Sequence, residues 1–370
     1  MFAVLLGTAC TSEPVDAVDL ALTDDDEALV AVEPMVSTDA AREPLPGLGV
    51  DTTGPKQWSF AVLSDLHLPN PRSAVIDREV HALIAMGVRF VVVTGDFTNG
   101  SALVDHRQRK VDAWWASITG VLAPLRDAGV PVLPIAGNHD TYLAWHREAF
   151  ERAFGDLDRW AAPLEPHAAG GKGFARAPYS YSVDVDGVHL ALANVVDQTV
   201  DNDVAAWLTE DLAAAKDARL RIVFGHVPLF SVVKRPPRHF VEQLGTILAR
   251  GNADFYVAGH EHITWDETFA VGAGNVIRQV TVGCASGFYV FAPSKAARAR
   301  AGCESSGRGR SDCTMPNGGR FELVRDRSQR MIEHDSATFT VFTVKADGEV
   351  EVTPMTVDDN GEPLAFYLAR

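Results

Sequence analysis

The sequence lacks the features that mark membrane-spanning and nucleic-acid-binding proteins. No apolar run approaches the ~20 residues that a membrane-spanning helix needs. No stripe of lysine and arginine matches the footprint of a nucleic-acid backbone, so we expect no nucleic-acid-binding patch. Apolar residues nevertheless make up 46% of the 370 residues and charged residues 22%, which leaves ample apolar material for a buried core.

Basic residues are almost missing from one segment, which carries most of the net charge of −16. Between Thr11 and Asp51, eleven acidic residues stand against one basic residue, Arg42. Residues 11–56 show no sustained helical or strand period, so we predict a disordered acidic linker there. The folded domain is expected over residues 57–370. The acidity therefore says little about the substrate.

Residues 1–10 resemble the end of a bacterial lipoprotein signal peptide, because an apolar run and small residues precede Cys10. Two features depart from that pattern: no basic region precedes the apolar run, and Gly7 stands where such signals usually carry leucine. The competing interpretation is a short disordered tail with a chance cysteine. We predict lipid attachment through Cys10, which would place the protein outside the cytoplasm of a bacterium, anchored to a membrane.

Cysteine is scarce, and the spacing of the three others matches no zinc-ligand pattern. Cys303 and Cys313 fall in an Arg-, Gly- and Ser-rich stretch, about residues 292–336, which we interpret as a long loop or insertion. They are either a disulfide of an oxidising compartment or two free thiols. Cys284 ends an apolar run and is predicted to be a buried core residue.

Short apolar runs alternate with helical stretches from Trp58 onward. Continuous apolar runs are typical of strands that are buried on both faces. The runs are residues 60–63, 90–93, 132–135, 222–224 and 255–257. The stretches with helical spacing are residues 75–86, 111–125, 204–215 and 240–248. This alternation predicts an α/β layered fold.

Two predicted hairpins interrupt the alternation. Residues 179–185 and 188–195 flank Asp186-Gly187, and residues 338–344 and 349–356 flank Asp347-Gly348. Asp-Gly between alternating strands favours a type I′ turn, so part of the sheet is expected to be antiparallel.

Each apolar run ends in a short motif rich in metal-binding side chains. The motifs are Asp65-Leu66-His67, Gly95-Asp96, Gly137-Asn138-His139-Asp140, Gly225-His226 and Gly259-His260-Glu261-His262. Sites in α/β sheets gather at the carboxyl ends of strands, so folding can bring these motifs together.

The residue types in these motifs indicate a metal site. Carboxylate, imidazole and amide groups form a mixed nitrogen and oxygen set that suits Mn, Fe or Zn. Asp65 and His67 are two residues apart, so on an extended backbone they point to the same side, and the same holds for His260 and His262. Two metal ions close together would clamp the attacking and leaving oxygens of a displacement reaction.

The ordered set D-x-H, G-D, G-N-H-D, G-H and G-H-x-H resembles the signature of calcineurin-like metallophosphoesterases, over residues 60–262. The resemblance implies a four-layer α/β/β/α sandwich with mixed sheets. It also implies two metal ions, divalent or of mixed valence. The first would be held by Asp65, His67 and His262, the second by Asn138, His226 and His260, and Asp96 would bridge them.

The resemblance further implies roles for two residues beside the ligands. His139 would lie near the leaving group and stabilise charge or donate a proton. Asp140 would orient His139 through a hydrogen bond. Asn99 stands where purple acid phosphatases carry a tyrosine, and the pattern is most similar to the cyclic-nucleotide phosphodiesterase-like branch.

The expected activity is hydrolysis of a phosphomonoester or phosphodiester by a hydroxide held between two metal ions. The substrate would be a small molecule or a peptide. One alternative is a phosphoprotein phosphatase, which keeps the chemistry and changes the substrate. Another is a non-catalytic, surface-anchored binding protein on the same scaffold.

Overall fold

The computed structural model describes residues 57–70, 73–103, 107–231, 236–271, 275–287, 321–323, 330–332 and 338–365. The predicted lipid-anchor cysteine Cys10, the linker at 11–56, and Cys303 with Cys313 lie outside the described residues. Within the predicted loop or insertion at 292–336, only two short segments are described, and both are strands.

The described residues form six helices and fifteen strands. The helices are α1 (Ser73–Met86), α2 (Gln108–Asp127), α3 (Ala144–Phe154), α4 (Leu157–Ala161), α5 (Asn202–Ala214) and α6 (Arg238–Arg250). The strands are β1 (Trp58–Leu63), β2 (Val91–Val93), β3 (Val132–Pro134), β4 (His167–Gly170), β5 (Arg176–Val185), β6 (Val188–Leu192), β7 (Leu220–Phe224), β8 (Phe255–Ala258), β9 (Thr264–Val271), β10 (Asn275–Thr281), β11 (Phe321–Leu323), β12 (Arg330–Ile332), β13 (Phe339–Val344), β14 (Val350–Val357) and β15 (Pro363–Ala365).

The strands form two mixed sheets in the described part of the chain. The first has the order β15-β14-β13-β1-β2-β3, in which β1, β2 and β3 are parallel and β13 runs antiparallel to β1. The second has the order β11-β9-β10-β8-β7-β6-β5-β4, and β12 also pairs with β9. Its strands β6, β7, β8 and β10 are parallel, so their carboxyl ends meet at one edge.

Apolar side chains from both sheets fill the space between them. Phe60 of β1 stacks on Phe90 and Phe342 with ring centroids 4.9 Å apart, and it meets Phe224 of β7 edge-on at 6.2 Å. All four rings are fully buried, and each contributes about 1.5–3 kcal/mol through burial. The two sheets are therefore packed face to face.

Helices cover the outer face of each sheet. Apolar residues of α1, α2 and α3 share one core with Ala61 and Leu63, and apolar residues of α5 and α6 share another with Val223. Neighbours of these residues along the same strands, such as Val62 and Phe224, point between the sheets. Strands apolar on both faces thus make the predicted four-layer α/β/β/α sandwich, which is confirmed.

The predicted elements are confirmed with small shifts at their ends. All five apolar runs lie on or beside β1, β2, β3, β7 and β8, and the four helical stretches match α1, α2, α5 and α6. Helices α3 and α4 were not predicted. None of the helices in the described residues is both long and apolar enough to span a bilayer.

The two Asp-Gly turns differ from each other. Asp186 and Gly187 have φ values of 49° and 78°, as a type I′ turn requires. At the second turn Gly348 has φ 90°, but Asp347 is not left-handed. The type I′ prediction is wrong there, because the N–H of Gly348 donates to the carbonyl of Lys345, which makes the glycine the last residue of the turn and not a central one. A left-handed glycine after such a turn is typical of a longer hairpin loop.

A buried histidine joins β5, β6 and α5. His189 on β6 has Nδ1 2.9 Å from Asp184 Oδ1 and Nε2 2.8 Å from Asp211 Oδ2, so both ring nitrogens face carboxylates. Ser182 donates to the other oxygen of Asp211 at 2.8 Å. Burial alone would lower the pKa of His189, but the hydrogen bonds and charges of Asp211 and then Asp184 outweigh it and raise the pKa.

We expect this histidine to stabilise the fold most at low pH. A folded-state pKa above the unfolded value of about 6.5 gives stability that is fully present below pH 6.5 and is lost as pH rises through the folded-state pKa. Urea unfolding at pH 6 should show His189→Gln to be less stable than the unmodified protein by about 1.5–3 kcal/mol, the contribution of a charge-assisted hydrogen bond. The difference should shrink toward pH 9, and a constant difference across this range would contradict the assignment.

Candidate metal centre

The motif residues lie together at the carboxyl ends of the parallel strands. Asp65 and His67 follow β1, Asp96 follows β2, and Asn138 follows β3 in the first sheet. The second sheet contributes His226 after β7, and His260 and His262 after β8. Five of the seven are buried, and His260 and His262 are partly buried. The structure therefore brings together residues that are up to 197 positions apart in the sequence.

One group of ligand atoms forms around Asp65. Its Oδ1 lies 3.2 Å from His262 Nε2 and 3.8 Å from His67 Nε2, and the two imidazole nitrogens are 3.1 Å apart. Such a group of one carboxylate and two imidazoles could hold a metal ion.

A second group forms around His226. Its Nε2 lies 2.9 Å from Asn138 Oδ1, 3.2 Å from Asp96 Oδ2 and 3.3 Å from His260 Nδ1. His260 Nδ1 is also 2.9 Å from Asn138 Oδ1. Asp96, His226 and His260 form another set that could hold a metal ion.

Asp96 lies between the two groups. Its Oδ2 is 3.2 Å from His226 Nε2 on one side and 3.9 Å from His67 Nε2 on the other. Its Oδ1 accepts a hydrogen bond from the backbone N–H of His139 at 2.8 Å. One oxygen is thus fixed by the backbone, and the other faces both groups of ligand atoms.

The remaining polar atoms of the ligands are fixed by hydrogen bonds. Asp65 Oδ2 accepts from Ser64 Oγ at 2.6 Å and from the N–H of His260 at 2.9 Å, which leaves Oδ1 facing the site. His226 Nδ1 donates to the carbonyl of Thr94 at 2.7 Å, so its Nε2 carries no proton when the ring is neutral. Partners of this kind set the orientation and tautomer of metal ligands.

Five of these residues have a left-handed backbone although none is glycine. The φ values are 54° at Asp65, 47° at His67, 52° at Asp96, 70° at His260 and 55° at His262. A non-glycine residue in this region costs about 1–3 kcal/mol, and such residues gather at functional sites. The extended backbone assumed from the sequence is wrong here. His260 and His262 join different groups, whereas Asp65 and His67 join the same one.

Glycines let the loops approach closely at two points. A Cβ on Gly137 would lie 2.2 Å from Asp96 N and Oδ1, and a Cβ on Gly259 would lie 1.8 Å from Ser64 Oγ. Any side chain at either position would push apart two loops that carry ligands. Glycine is therefore required by the close packing of the site itself.

Both carboxylates at the centre are ionised. Burial alone would raise the pKa of Asp65, but the charge and hydrogen bond of His262 outweigh it and lower the pKa to about 2. Burial alone would also raise the pKa of Asp96, but His226 and then His139 outweigh it and lower the pKa well below its usual range. The centre therefore concentrates negative charge in a buried place.

The imidazoles of the centre differ in pKa because their surroundings differ. Burial and then the neighbouring His262 lower the pKa of His67 to about 3, and burial and then His226 lower that of His260 to about 4. Both are neutral at pH 7, as a metal ligand must be. Burial also acts to lower the pKa of His226, but Asp96 outweighs it and raises the pKa to about 9. Asp96 thus favours a positive charge at this position.

These residues fit a pair of metal ions. Asp65 Oδ1 is buried and faces His262 Nε2 at 3.2 Å, while its partner oxygen accepts two other hydrogen bonds. Imidazole nitrogens, an amide oxygen and carboxylate oxygens converge in two sets that share Asp96. This donor set suits transition metals such as Mn, Fe or Zn and does not distinguish among them.

His139 faces the site from its edge. Its Nδ1 bonds to the carbonyl of Gly100, and its Nε2 lies 3.8 Å from Asp96 Oδ2. The ring is about one-third exposed, so it can meet a molecule that enters from solvent.

The predicted hydrogen bond from Asp140 to His139 is wrong. Asp140 Oδ2 accepts from the N–H groups of Gly137 and Phe97, at 2.9 and 3.2 Å. Its Oδ1 accepts from the N–H and Oγ1 of Thr98, at 3.0 and 3.1 Å. The buried carboxylate thus joins the loops after β2 and β3, and it acts on His139 only through the backbone.

Sequence reasoning missed two residues at the rim. Tyr142 lies four residues after Asn138 and contacts it. Asp197 follows β6, and its charge acts to raise the pKa of Tyr142, while the charge of His226 acts to lower the pKa of Asp197. The strand-end argument applied to β6 would have found Asp197. No comparable signal pointed to Tyr142, because an aromatic residue after Gly-Asn-His-Asp is ordinary core material.

Comparison with known proteins gives one family match. The family model for calcineurin-like phosphoesterases matches residues 59–264, which is more than half of the chain. Among curated proteins, none matches the chain in sequence.

Solved structures share the fold at low identity. A structure of PhoD has a TM-score of 0.52 at 8% identity, covering 88% of this chain and 74% of that chain. GAP50, described as the anchor in the inner membrane complex of Plasmodium, has a TM-score of 0.51 at 14% identity, covering 85% and 90%. The purple acid phosphatase PPD1 from yellow lupin seeds has a TM-score of 0.49 at 14% identity, covering 86% and 56%.

Removing the charge of Asp140 should weaken the fold around the site. In Asp140→Asn the amide NH₂ would face backbone N–H donors, so we expect a loss of about 2–4 kcal/mol of unfolding free energy in urea. Asp127→Asn is the control, because Asp127 is exposed and its carboxylate bonds to the neighbouring Arg126. Its expected loss is below about 0.5 kcal/mol. Equal losses for the two variants would show that Asp140 does not join the loops.

Proposed function

The chain belongs to the calcineurin-like phosphoesterase family, and we propose that it is a two-metal hydrolase of phosphate esters. One observation carries the proposal: Asp96 Oδ2 lies within 4 Å of an imidazole nitrogen in each of the two groups. A carboxylate oxygen shared in this way is suited to bridge two cations. Family membership supports the phosphoester class, and it leaves the individual ester open.

The proposed ligand sets follow from the two groups. Asp65, His67 and His262 would hold one ion, and Asn138, His226 and His260 the other. Asp96 would contribute to both. Two bound ions would lower the pKa of water and neutralise the charge of a phosphoester.

The surrounding residues prepare the site for such an ester. His139 donates from Nδ1 to Gly100 O, so Nε2 is the atom that can carry a proton toward a leaving group. The buried carboxylates are fixed before substrate arrives, since Asp65 and Asp96 each have one oxygen bonded to a backbone N–H. Orientation of this kind lowers the cost of reaching the transition state.

A non-catalytic role on the same scaffold is the second candidate. GAP50, described as an anchor, shares the fold, which supports the possibility of a binding protein with this architecture. The orientation of His139 Nε2 toward the site favours catalysis instead. A phosphoprotein phosphatase would use the same centre and differ in the substrate that reaches it.

Asp96→Ala tests the proposed hydrolase directly. Loss of the shared carboxylate should remove bound metal and lower kcat/KM by about 10²–10³-fold, the scale on which lost electrostatic stabilisation acts. The measurements are metal content per chain and kcat/KM with Mn²⁺ on p-nitrophenyl phosphate, bis-p-nitrophenyl phosphate and a phosphopeptide. Circular dichroism checks that the fold is kept.

Asp77→Ala is the matched control, since Asp77 is an exposed residue of α1 away from the centre. It should keep the metal content and turnover of the unmodified protein. If a metal-loaded Asp96→Ala protein kept the turnover of the unmodified protein, the proposal would be wrong. No turnover of the unmodified protein on any of the three substrates would favour the binding protein.

A further inference from the structure

Tyr142 contacts the candidate metal centre from the loop between β3 and α3. Asn138 Nδ2 donates a hydrogen bond to Tyr142 Oη. The tyrosine is 37% exposed, and its ring lies at 70° to that of His139, with centroids 5.3 Å apart. The phenol hydroxyl therefore meets the centre at its outer edge, through one amide.

The orientation of the Asn138 amide decides whether its oxygen or its NH₂ group faces the metal centre. An asparagine carries an acceptor oxygen and a donor NH₂ on the same carbon, and only the oxygen can bind a cation. Asn138 Oδ1 is 2.9 Å from both His226 Nε2 and His260 Nδ1. If the amide turned by 180°, its NH₂ would replace the oxygen at this point and exclude a cation.

We propose that Tyr142 is a positioning residue that holds the amide of Asn138 with Oδ1 facing the centre. The inference rests on the proposed two-metal function and deepens it. The phenol oxygen supplies the acceptor that the NH₂ group requires on the side away from His226 and His260. The ring also covers His139, so removing only the hydroxyl separates the hydrogen bond from the packing.

The test is Tyr142→Phe in the full chain, stripped of metal and titrated with Mn²⁺ by calorimetry. We expect the affinity for one of the two Mn²⁺ ions to fall by about 10–100-fold, as is typical when the partner of a metal ligand is removed. The melting temperature of the metal-free protein should not change, because the packing of the ring is kept. An affinity within twofold of the unmodified protein, or a variant that fails to fold, would overturn the proposal.

Tyr179→Phe is the matched control. Its hydroxyl donates to the carbonyl of Arg147 and touches none of the seven proposed ligands. The same atom is therefore removed from a tyrosine of the same domain, and the Mn²⁺ affinity should stay within twofold.

A second variant tests whether Tyr142 acts through the amide. Asn138→Asp replaces the two-faced amide by a carboxylate, which presents an oxygen in either orientation. In this background Tyr142→Phe should change the Mn²⁺ affinity by less than twofold, so the two substitutions should not be additive. An undiminished loss in the Asn138→Asp background would show that the hydroxyl acts by another route and would overturn the proposal.

The experiment also separates this inference from the proposed function. Mn²⁺ affinity is measured without substrate, so it can change with Tyr142 even in a protein that hydrolyses nothing. Absence of turnover in the unmodified protein would remove the hydrolase and leave the positioning role standing. If Tyr142→Phe left the Mn²⁺ affinity unchanged while the unmodified protein turned over substrate, the positioning role would be wrong and the hydrolase would stand.

Discussion

The contact between the loops after β2 and β3 is the constraint on which the rest of the site depends. Asp96, in the loop after β2, accepts a hydrogen bond from the N–H of His139. Asp140, in the loop after β3, accepts hydrogen bonds from the N–H groups of Phe97 and Thr98. The two loops can meet only because Gly137 has no side chain. Two buried carboxylates, each fixed by backbone donors of the other loop, hold Asp96 where both groups of ligand atoms can reach it.

The site is also where the two sheets meet. The first sheet supplies carboxylates, one imidazole and the amide, and the second supplies three imidazoles. Hydrogen bonds cross between them: His260 N–H donates to Asp65, and His226 donates to the carbonyl of Thr94. Behind these polar contacts lies the shared apolar core around Phe60 and Phe224. Neither sheet contains a complete set of ligands, so packing of the two sheets is a condition for the centre to exist.

The sequence predicted what depends on local pattern and missed what depends on long-range placement. The buried strands and the ligand at the end of each were predictable, because apolar runs and the residues that follow them are adjacent in the chain. The bonds from Phe97 and Thr98 to Asp140 were not, since they depend on which loop lies nearby after folding. The bond from Asn138 to Tyr142 is the exception, because it spans only four residues and no pattern in the sequence marked it. The β9–β10 hairpin was hidden because its acidic residues resemble a surface, yet Asp266 is buried against Arg278 of the facing strand at 2.7 Å.

The pairing of β1 with β13 has a consequence for the order in which the protein is made. Trp58 of β1 pairs with Val344 of β13, so one edge of β1 stays unpaired until β13 has been synthesised. During synthesis the ribosome must add some 280 residues between them, which takes about 15–60 s at roughly 5–20 residues per second. All seven candidate ligands are synthesised before β13 is, so for a time the ligands are present while the sheet that carries four of them is incomplete. A nascent chain would therefore expose an apolar strand edge for that whole interval, which makes chaperone protection more important for this topology than for one built from neighbouring strands.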